Sequence, residues 1–292
     1  MYATEDITSL PTQLEVTVNQ KLDSVDFSQS EVLQLLKKLD ANKSPGPDGI
    51  HPRVLKECAS ELAGPLHILF QTSLSEGSLP TAWKEARVTP IFKKGSRTDV
   101  DNYRPVSLTS VCCKVMEKLI RHAVMNHMII NGLLSDYQHG FVQGRSCTTQ
   151  LLQLVDKISE IIDEGGAVDM VYLDFAKAFD TVPHQRLLLK LESYGIGGEV
   201  YAWIQSFLTD RLQQVSVGGM VSSWAHVLSG VPQGSVLGPV LFVCYINDMP
   251  DSIGSFIFMY ADDTKLGRGV SSDEDREALQ ADLDRLNDWS RR

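Results

Sequence analysis

Two aspartate sites stand out because each follows a run of apolar residues: Val171-Tyr172-Leu173-Asp174, and Phe258-Met259-Tyr260-Ala261-Asp262-Asp263. An apolar run reads as a buried strand, so a carboxylate at its end sits at the rim of the core, where reduced dielectric penalises charge. The adjacent Asp262 and Asp263 would repel each other there, and one would keep its proton unless a cation neutralised the pair. Oxygen-only ligands select a hard divalent ion, Mg²⁺ or Mn²⁺, over zinc. If the two strands pair, the three carboxyl groups are expected within about 6 Å of one another, close enough to share two metals about 3.5–4 Å apart for phosphoryl transfer. An Asp-Asp pair also simply starts turns. The whole tetrapeptide Tyr260-Ala261-Asp262-Asp263, however, arises by chance in roughly one chain of this length in several hundred.

The elements that must position these groups can be read from local signals. Ser28 and Glu31 have capping-box spacing ahead of Val32, Leu33, Leu35, Leu36 and Leu39, which recur at helical intervals. Ser44-Pro45-Gly46-Pro47-Asp48-Gly49 forces a turn. A second helical stretch, 54–76, is expected to be interrupted near Gly64-Pro65. From Ser146 an amphipathic helix carries Leu151, Leu152, Leu154, Val155, Ile158, Ile161 and Ile162 on one stripe and stops at Gly165-Gly166. Ala167 to Leu173 then reads as a buried strand leading into Asp174. Helices over 184–193 and 199–209 precede a hairpin, 212–217 with 221–228, turned by Gly218-Gly219. A short apolar helix, a second hairpin (255–260 with 264–267) and an acidic helix, 273–292, complete the chain.

Composition bounds the rest. With 292 residues, 43% apolar and 22% charged, the chain can bury a large core and is neither disordered nor a disulfide scaffold, since it has five cysteines and no C-x-x-C pair. The thiols are expected to be reduced, in an intracellular protein. The start has no secretory pattern, and 236–246 is too short and too interrupted by Gly238-Pro239 to span a membrane. A net charge of −10 argues against coating nucleic acid by bulk charge, yet 83–121 holds nine basic residues against four acidic ones. Read alone, that segment is either a solvated face or a phosphate-binding surface. His51, His67, His122, His127, His139 and His226 are scattered singly and are assigned no role.

Taken together, several blocks resemble the reverse transcriptases of LINE-type (non-LTR) retrotransposons. They are Tyr260-Ala261-Asp262-Asp263, Leu173-Asp174-Phe175-Ala176-Lys177-Ala178-Phe179-Asp180 and Ser229-Gly230-Val231-Pro232-Gln233-Gly234-Ser235. The same order holds for Ser44-Pro45-Gly46-Pro47-Asp48-Gly49-Ile50, Asn102-Tyr103-Arg104-Pro105-Val106-Ser107-Leu108, Gln138-His139-Gly140-Phe141 and Gly144-Arg145-Ser146. The resemblance covers about 30–292. It implies that Asp174 and Asp262 are the main Mg²⁺ ligands, with Mn²⁺ as a substitute, and that Asp263 is the third active-site carboxylate. It further implies that Phe179, which on its own reads as a core aromatic, stacks under the nucleotide sugar and excludes a ribose 2′-OH. Gln233 and Gly234 would lie along the incoming nucleotide and template. Arg104 would grip the triphosphate, with Lys93 as its lysine partner and Lys94 as the alternative; a guanidinium suits bidentate phosphate contact and an ammonium acts as a point charge. Asp180 and His184 follow the family pattern, but a capping role serves Asp180 equally well.

The expected architecture is α+β: a right-hand polymerase palm, mainly an antiparallel sheet backed by helices, with fingers and without a thumb. Residues 1–27 are expected to form a loose arm or linker remnant, 28–145 the fingers and N-terminal helices, and 146–292 a palm that stops short of the thumb. The expected partners are an RNA template with a DNA primer and deoxynucleotides, with no membrane, and the family's mode of insertion implies a nuclear site of action. The alternative is a catalytically silent remnant that binds nucleic acid or protein weakly. Other palm polymerases, such as group II intron maturases or RNA-dependent RNA polymerases, are disfavoured by the Ser-Pro-Gly-Pro-Asp-Gly and Phe-Asp-Thr-Val blocks.

Overall fold

The computed structural model describes residues 5, 10, 11, 14 and 16–291. In chain order its elements are α1 (Gln29–Lys37), α2 (Pro52–Glu57), α3 (Ala59–Ser75), α4 (Thr81–Lys84), β1 (Glu85–Phe92), β2 (Tyr103–Thr109), α5 (Val111–Ile130), α6 (Cys147–Asp163) and β3 (Ala167–Leu173). There follow α7 (Ala178–Thr181), α8 (His184–Ser193), α9 (Gly198–Leu208), β4 (Leu212–Val217), β5 (Met220–Val221), β6 (Ala225–His226), α10 (Gly238–Ile246), β7 (Phe256–Tyr260), β8 (Asp263–Val270) and α11 (Asp273–Arg291). They form two compact units, each assembled from two stretches of chain: unit 1 is Met1–Gly132 with Phe179–Leu241, and unit 2 is Leu133–Ala178 with Phe242–Arg292.

Unit 1 is built on a sheet in the order β2-β1-β4-β5, with β6 also paired to β4. β1 and β2 are antiparallel from Ala86↔Thr109 to Phe92↔Tyr103, whereas β1 and β4 are parallel from Glu85↔Leu212 to Val88↔Val215. Gly218 and Gly219 both have positive φ, +57° and +84°, as the two-residue hairpin turn requires. The returning strand expected over 221–228 is split into β5 and β6. The Ser222 hydroxyl accepts from the Val215 N–H (2.9 Å), so a side chain replaces a ladder carbonyl there. The helices bury one face each: Val115, Met116, Ile120, Val124 and Met128 of α5 are buried, as are Trp203, Ile204 and Phe207 of α9.

Local signals set the helix ends. Both halves of the Ser28/Glu31 capping box form at α1. The break expected near Gly64-Pro65 lies instead at Cys58, between α2 and α3, and α3 runs through Pro65. A proline crowds the Cβ of the preceding residue, and Gly64 has none, so the helix continues. The expected loose arm falls, over its first half, largely outside the described residues. Farther along, Leu22 pairs with Ile196, its N–H reaching Gly195 O (2.9 Å) and its carbonyl accepting from Gly197 N (3.0 Å), and Phe27 is buried.

Unit 2 holds the sheet β3-β8-β7, antiparallel throughout. α6 starts at the Ser146 cap, which accepts from Thr149 N (3.1 Å), and gives way to Gly165 at φ +83°. Two expectations are corrected here. β3 is not a buried strand but an edge strand with a single neighbour, and Tyr172 is 68% exposed. The apolar stripe of α6 is not core either: Gln150 and Leu154 are buried, while Leu151, Leu152, Val155 and Ile162 are exposed. The sheet is only three strands wide, so it covers a single line of the helix. At the other end of the sheet, the Asp282 carboxylate of α11 accepts from Gly254 N (3.1 Å) and Ser255 N (2.8 Å), fixing the start of β7. All five cysteines are free thiols. Burial raises the pKa of Cys112 to about 11 and that of Cys244 to about 12.

Candidate active site

The ladder register decides where the aspartates fall. β3 pairs with β8 as far as Leu173↔Thr264, and β7 pairs with β8 as far as Tyr260↔Asp263. Asp174 is therefore one residue past the last β3 pair, at the level of Asp263, and Asp262 stands in the two-residue turn between β7 and β8. The backbone thus brings all three to one end of one sheet. Their surroundings differ from the expected dry rim: Asp174 and Asp263 are exposed and Asp262 is half-buried. Among the described residues no group of three or more His, Cys, Asp and Glu side chains forms a cluster that could hold a metal ion. Like charges repel, and two of the three carboxylates have solvent in which to turn apart. The donor set itself, carboxylate oxygens with no thiolate or imidazole, fits a hard divalent cation.

The turn is held by residues whose blocks were recognised in the sequence without a role. Ala261 adopts φ +55°, a left-handed conformation that costs a non-glycine residue about 1–3 kcal/mol. The segment 137–139 lies beside Met259: Met259 N donates to Tyr137 O (2.9 Å) and His139 N to Met259 O (2.9 Å). Gln138 is fully buried, and its Oε1 accepts from Ala261 N (2.9 Å) and Gly140 N (2.7 Å), while its Nε2 lies 3.5 Å from Ala261 O. A Cβ on Gly140 would stand 2.4 Å from Ala261 N, so only glycine permits this approach. Arg145 secures the same loop by donating from Nη1 to Ser135 O and Gln138 O, both at 2.7 Å. Lys265, two residues beyond Asp263, is engaged elsewhere, donating to Gln150 Oε1 (2.9 Å).

The residues expected to bind nucleotide all lie in unit 1. Arg104 pairs with Ile91, and Lys93 N donates to Asn102 O (2.8 Å), continuing the ladder by one step. That one further step puts Arg104 and Lys93 on one face, while Lys94 lies past the ladder, in a bend. Both Arg104 and Lys93 are exposed. Gln233 and Gly234 rest against β2: Ser107 N donates to Gln233 O (2.8 Å), and a Cβ on Gly234, at φ +109°, would meet Ser107 O at 2.5 Å. Gln233 Nε2 also donates to Asp180 Oδ1 (3.1 Å). Phe179 is half-buried, and its carbonyl accepts from Val231 N (2.7 Å).

Two further residues organise this loop and could be recognised in the sequence only as parts of blocks. Asp180 orients Gln233, and its backbone carbonyl accepts from the Ser229 hydroxyl (2.8 Å). The His184 Nε2–H donates to Gly230 O (2.8 Å). Burial lowers the pKa of His184, the bond to Gly230 opposing that shift.

Comparison with known proteins agrees with the geometry. Residues 91–292 match the family described as reverse transcriptase (RNA-dependent DNA polymerase). The chain is 33% identical over 287 residues to the RNA-directed DNA polymerase from mobile element jockey of Drosophila melanogaster, covering 95% of this chain and 31% of that protein. It is 31% identical over 298 residues to the probable RNA-directed DNA polymerase from transposon BS of the same organism, covering 99% and 32%. Over 271 residues it is 28% identical to the Pol polyprotein from type-1 retrotransposable element R2 of Nasonia vitripennis, covering 86% and 24%. The chain therefore spans about a third or less of the length of these curated relatives. With the family match extending over more than half of its residues, the chain belongs to the reverse transcriptase family.

Proposed function

We propose that the chain carries the nucleotidyl-transfer centre of an RNA-directed DNA polymerase, which extends a DNA primer 3′-OH with deoxynucleotides along an RNA template. The observation that supports this most is the register of β3, β8 and β7, which sets Asp174 level with Asp263 and beside the Asp262 turn. Asp174 and Asp262 are the residues that would hold divalent cations, with Asp263 alongside. Mg²⁺ or Mn²⁺ bound there would favour deprotonation of the attacking hydroxyl and stabilise charge on the leaving oxygen.

The chain's other residues bind and orient. Arg104 presents a planar fork to two phosphate oxygens, and Lys93, on the same face, adds a point charge. Gln233, oriented by Asp180, hydrogen-bonds without adding charge, and Gly234 lets backbone approach the nucleotide. Phe179 supplies bulk beneath the sugar and disfavours a 2′-OH. In this reading 28–145 act as fingers, 146–292 as palm, and the work is done in the nucleus. No described helix is long and apolar enough to cross a membrane.

Primer extension on an RNA template tests the reading. Wild-type protein is expected to incorporate deoxynucleotides when Mg²⁺ is present, and Asp262→Asn to abolish incorporation. Absence of incorporation by the wild type at every protein concentration would sink it, in favour of a silent remnant.

A further inference from the structure

The turn that carries Asp262 has an unusual construction. A hairpin closed by the Tyr260↔Asp263 pair leaves the Ala261 N–H outside the ladder, and in most hairpins water would satisfy it. Here Ala261 is 5% exposed, so its N–H needs an acceptor from the protein. The acceptor comes from 123 residues away in the chain, as the carboxamide of Gln138.

We propose that Gln138 is a positioning residue of this active site: its carboxamide clamps the Ala261-Asp262 turn and so sets the direction in which the Asp262 carboxylate meets its metal. The proposal rests on the metal-binding reading of Asp262 given above.

The geometry makes the clamp specific. Gln138 Oε1 has two lone pairs and both are used, on Ala261 N and Gly140 N. Its partners at Tyr137, His139 and Arg145 fix the Gln138 backbone on both sides, so the carboxamide has little freedom to follow a moving turn. Gly140 leaves the space that brings the two strands of backbone together. A neutral acceptor also suits the place, because a carboxylate would add a fourth negative charge beside Asp174, Asp262 and Asp263.

Without the clamp, two buried N–H groups lose their acceptor. The left-handed φ of Ala261 is then no longer compensated, and a peptide rotation that relaxes it changes where Asp262 points. The consequence falls on metal capture more than on folding. Small displacements of a catalytic group cost about 10²-fold in rate.

Three variants of the chain separate this from general destabilisation. Gln138→Met keeps the shape and removes the acceptor, Gln138→Glu keeps an acceptor oxygen, and Leu154→Ala opens a cavity in the same unit away from the turn. Amide hydrogen exchange at Ala261 and Mn²⁺ uptake, followed by electron paramagnetic resonance of the free ion, are compared at equal distance below each melting temperature. Gln138→Met is expected to speed exchange at Ala261 by about tenfold or more and to weaken Mn²⁺ binding by about tenfold. Leu154→Ala is expected to do neither, and Gln138→Glu to retain the protection at Ala261. Equal Ala261 exchange in Gln138→Met and Leu154→Ala overturns the clamp, and unchanged Mn²⁺ affinity in Gln138→Met overturns its link to the metal. A wild type that takes up no Mn²⁺ overturns the metal reading instead, and the exchange comparison still decides whether Gln138 holds the turn.

Discussion

In unit 2, Ala261 and Asp262 turn between β7 and β8 under a fully buried carboxamide, with backbone from 137–140 packed against them. In unit 1, Arg104 and Lys93 stand exposed on one face of β1 and β2, and neither makes a side-chain hydrogen bond or an ion pair among the described residues. The difference matches what the proposed function asks of each site. Ligands of a metal pair must hold oxygen positions within a fraction of an ångström. Long cationic side chains seek a multiply charged phosphate from many rotamers, and a solvated, mobile cation serves that purpose. One turn has its backbone held by hydrogen bonds; in the proposed function the other site can tolerate motion because charge acts at a distance.

The largest effect should come from the carboxylates of unit 2. Asp174→Asn is expected to lower primer extension by roughly three orders of magnitude or more, at any deoxynucleotide concentration. A fall of less than tenfold in single-turnover incorporation would mean that the β3 end is not part of the chemistry.

The contrast is sharpened by a carboxylate in unit 1 that is held by two backbone N–H groups. Glu117 is fully buried, and its Oε2 accepts from Val236 N (2.6 Å) and Leu237 N (2.9 Å) at the start of α10, with Arg211 nearby in the core. Glu117→Leu leaves two buried donors and a buried cation without that carboxylate, and should destabilise the protein by about 3–5 kcal/mol in urea unfolding. A change below 1 kcal/mol would show that unit 1 is plastic throughout, core included.

Smaller effects are expected on the exposed face. Arg104→Ala should raise the deoxynucleotide KM by about 10–100-fold while leaving saturated turnover largely intact. Lys93→Ala should act in the same direction more weakly, and Lys94→Ala, past the end of the ladder, least of all. An equal loss for Lys93 and Lys94 in steady-state incorporation would cancel the assignment of Lys93 as the partner of Arg104.

The smallest effect concerns pH. Burial lowers the pKa of His184, with Glu5 acting to raise it and Arg211 to lower it. The neutral ring is therefore the folded form, so its stabilisation is complete above the unfolded value of about 6.5 and declines as pH falls from there toward the lower folded value. Urea midpoints measured from pH 8 to 5.5 should fall on acidification, less steeply for His184→Gln. A midpoint that rises on acidification, or falls equally in both proteins, would contradict this.

Local signals carried far in this chain. The Ser28/Glu31 and Ser146 caps, the Gly165 stop and the Gly218-Gly219 turn act within a few residues, and each appears where the spacing predicts. The hairpin of β7 and β8 and its terminal aspartates are legible for the same reason. What is not legible is set by distant partners. The apolar stripe of α6 gives no sign that Leu154 is buried while Leu151, Leu152, Val155 and Ile162 are exposed, and nothing near Ala167–Leu173 says that β3 pairs with β8 alone. The parallel pairing of β1 with β4 joins segments far apart in sequence. Gln138 is the clearest case: it is legible only as part of the Gln138-His139-Gly140-Phe141 block, and the N–H it accepts from is 123 residues away. The division of the chain into 28–145 and 146–292 follows sequence order, whereas each compact unit draws on two separate stretches.

The most direct test of the account is single-nucleotide incorporation on an RNA-templated primer, measured over a wide range of deoxynucleotide concentration for the wild type, Asp262→Asn and Arg104→Ala. The account predicts that Asp262→Asn stays inactive at every concentration, while Arg104→Ala recovers most of the wild-type rate as the nucleotide is raised. Recovery of Asp262→Asn at high nucleotide, or a rate for Arg104→Ala that no concentration restores, would contradict it.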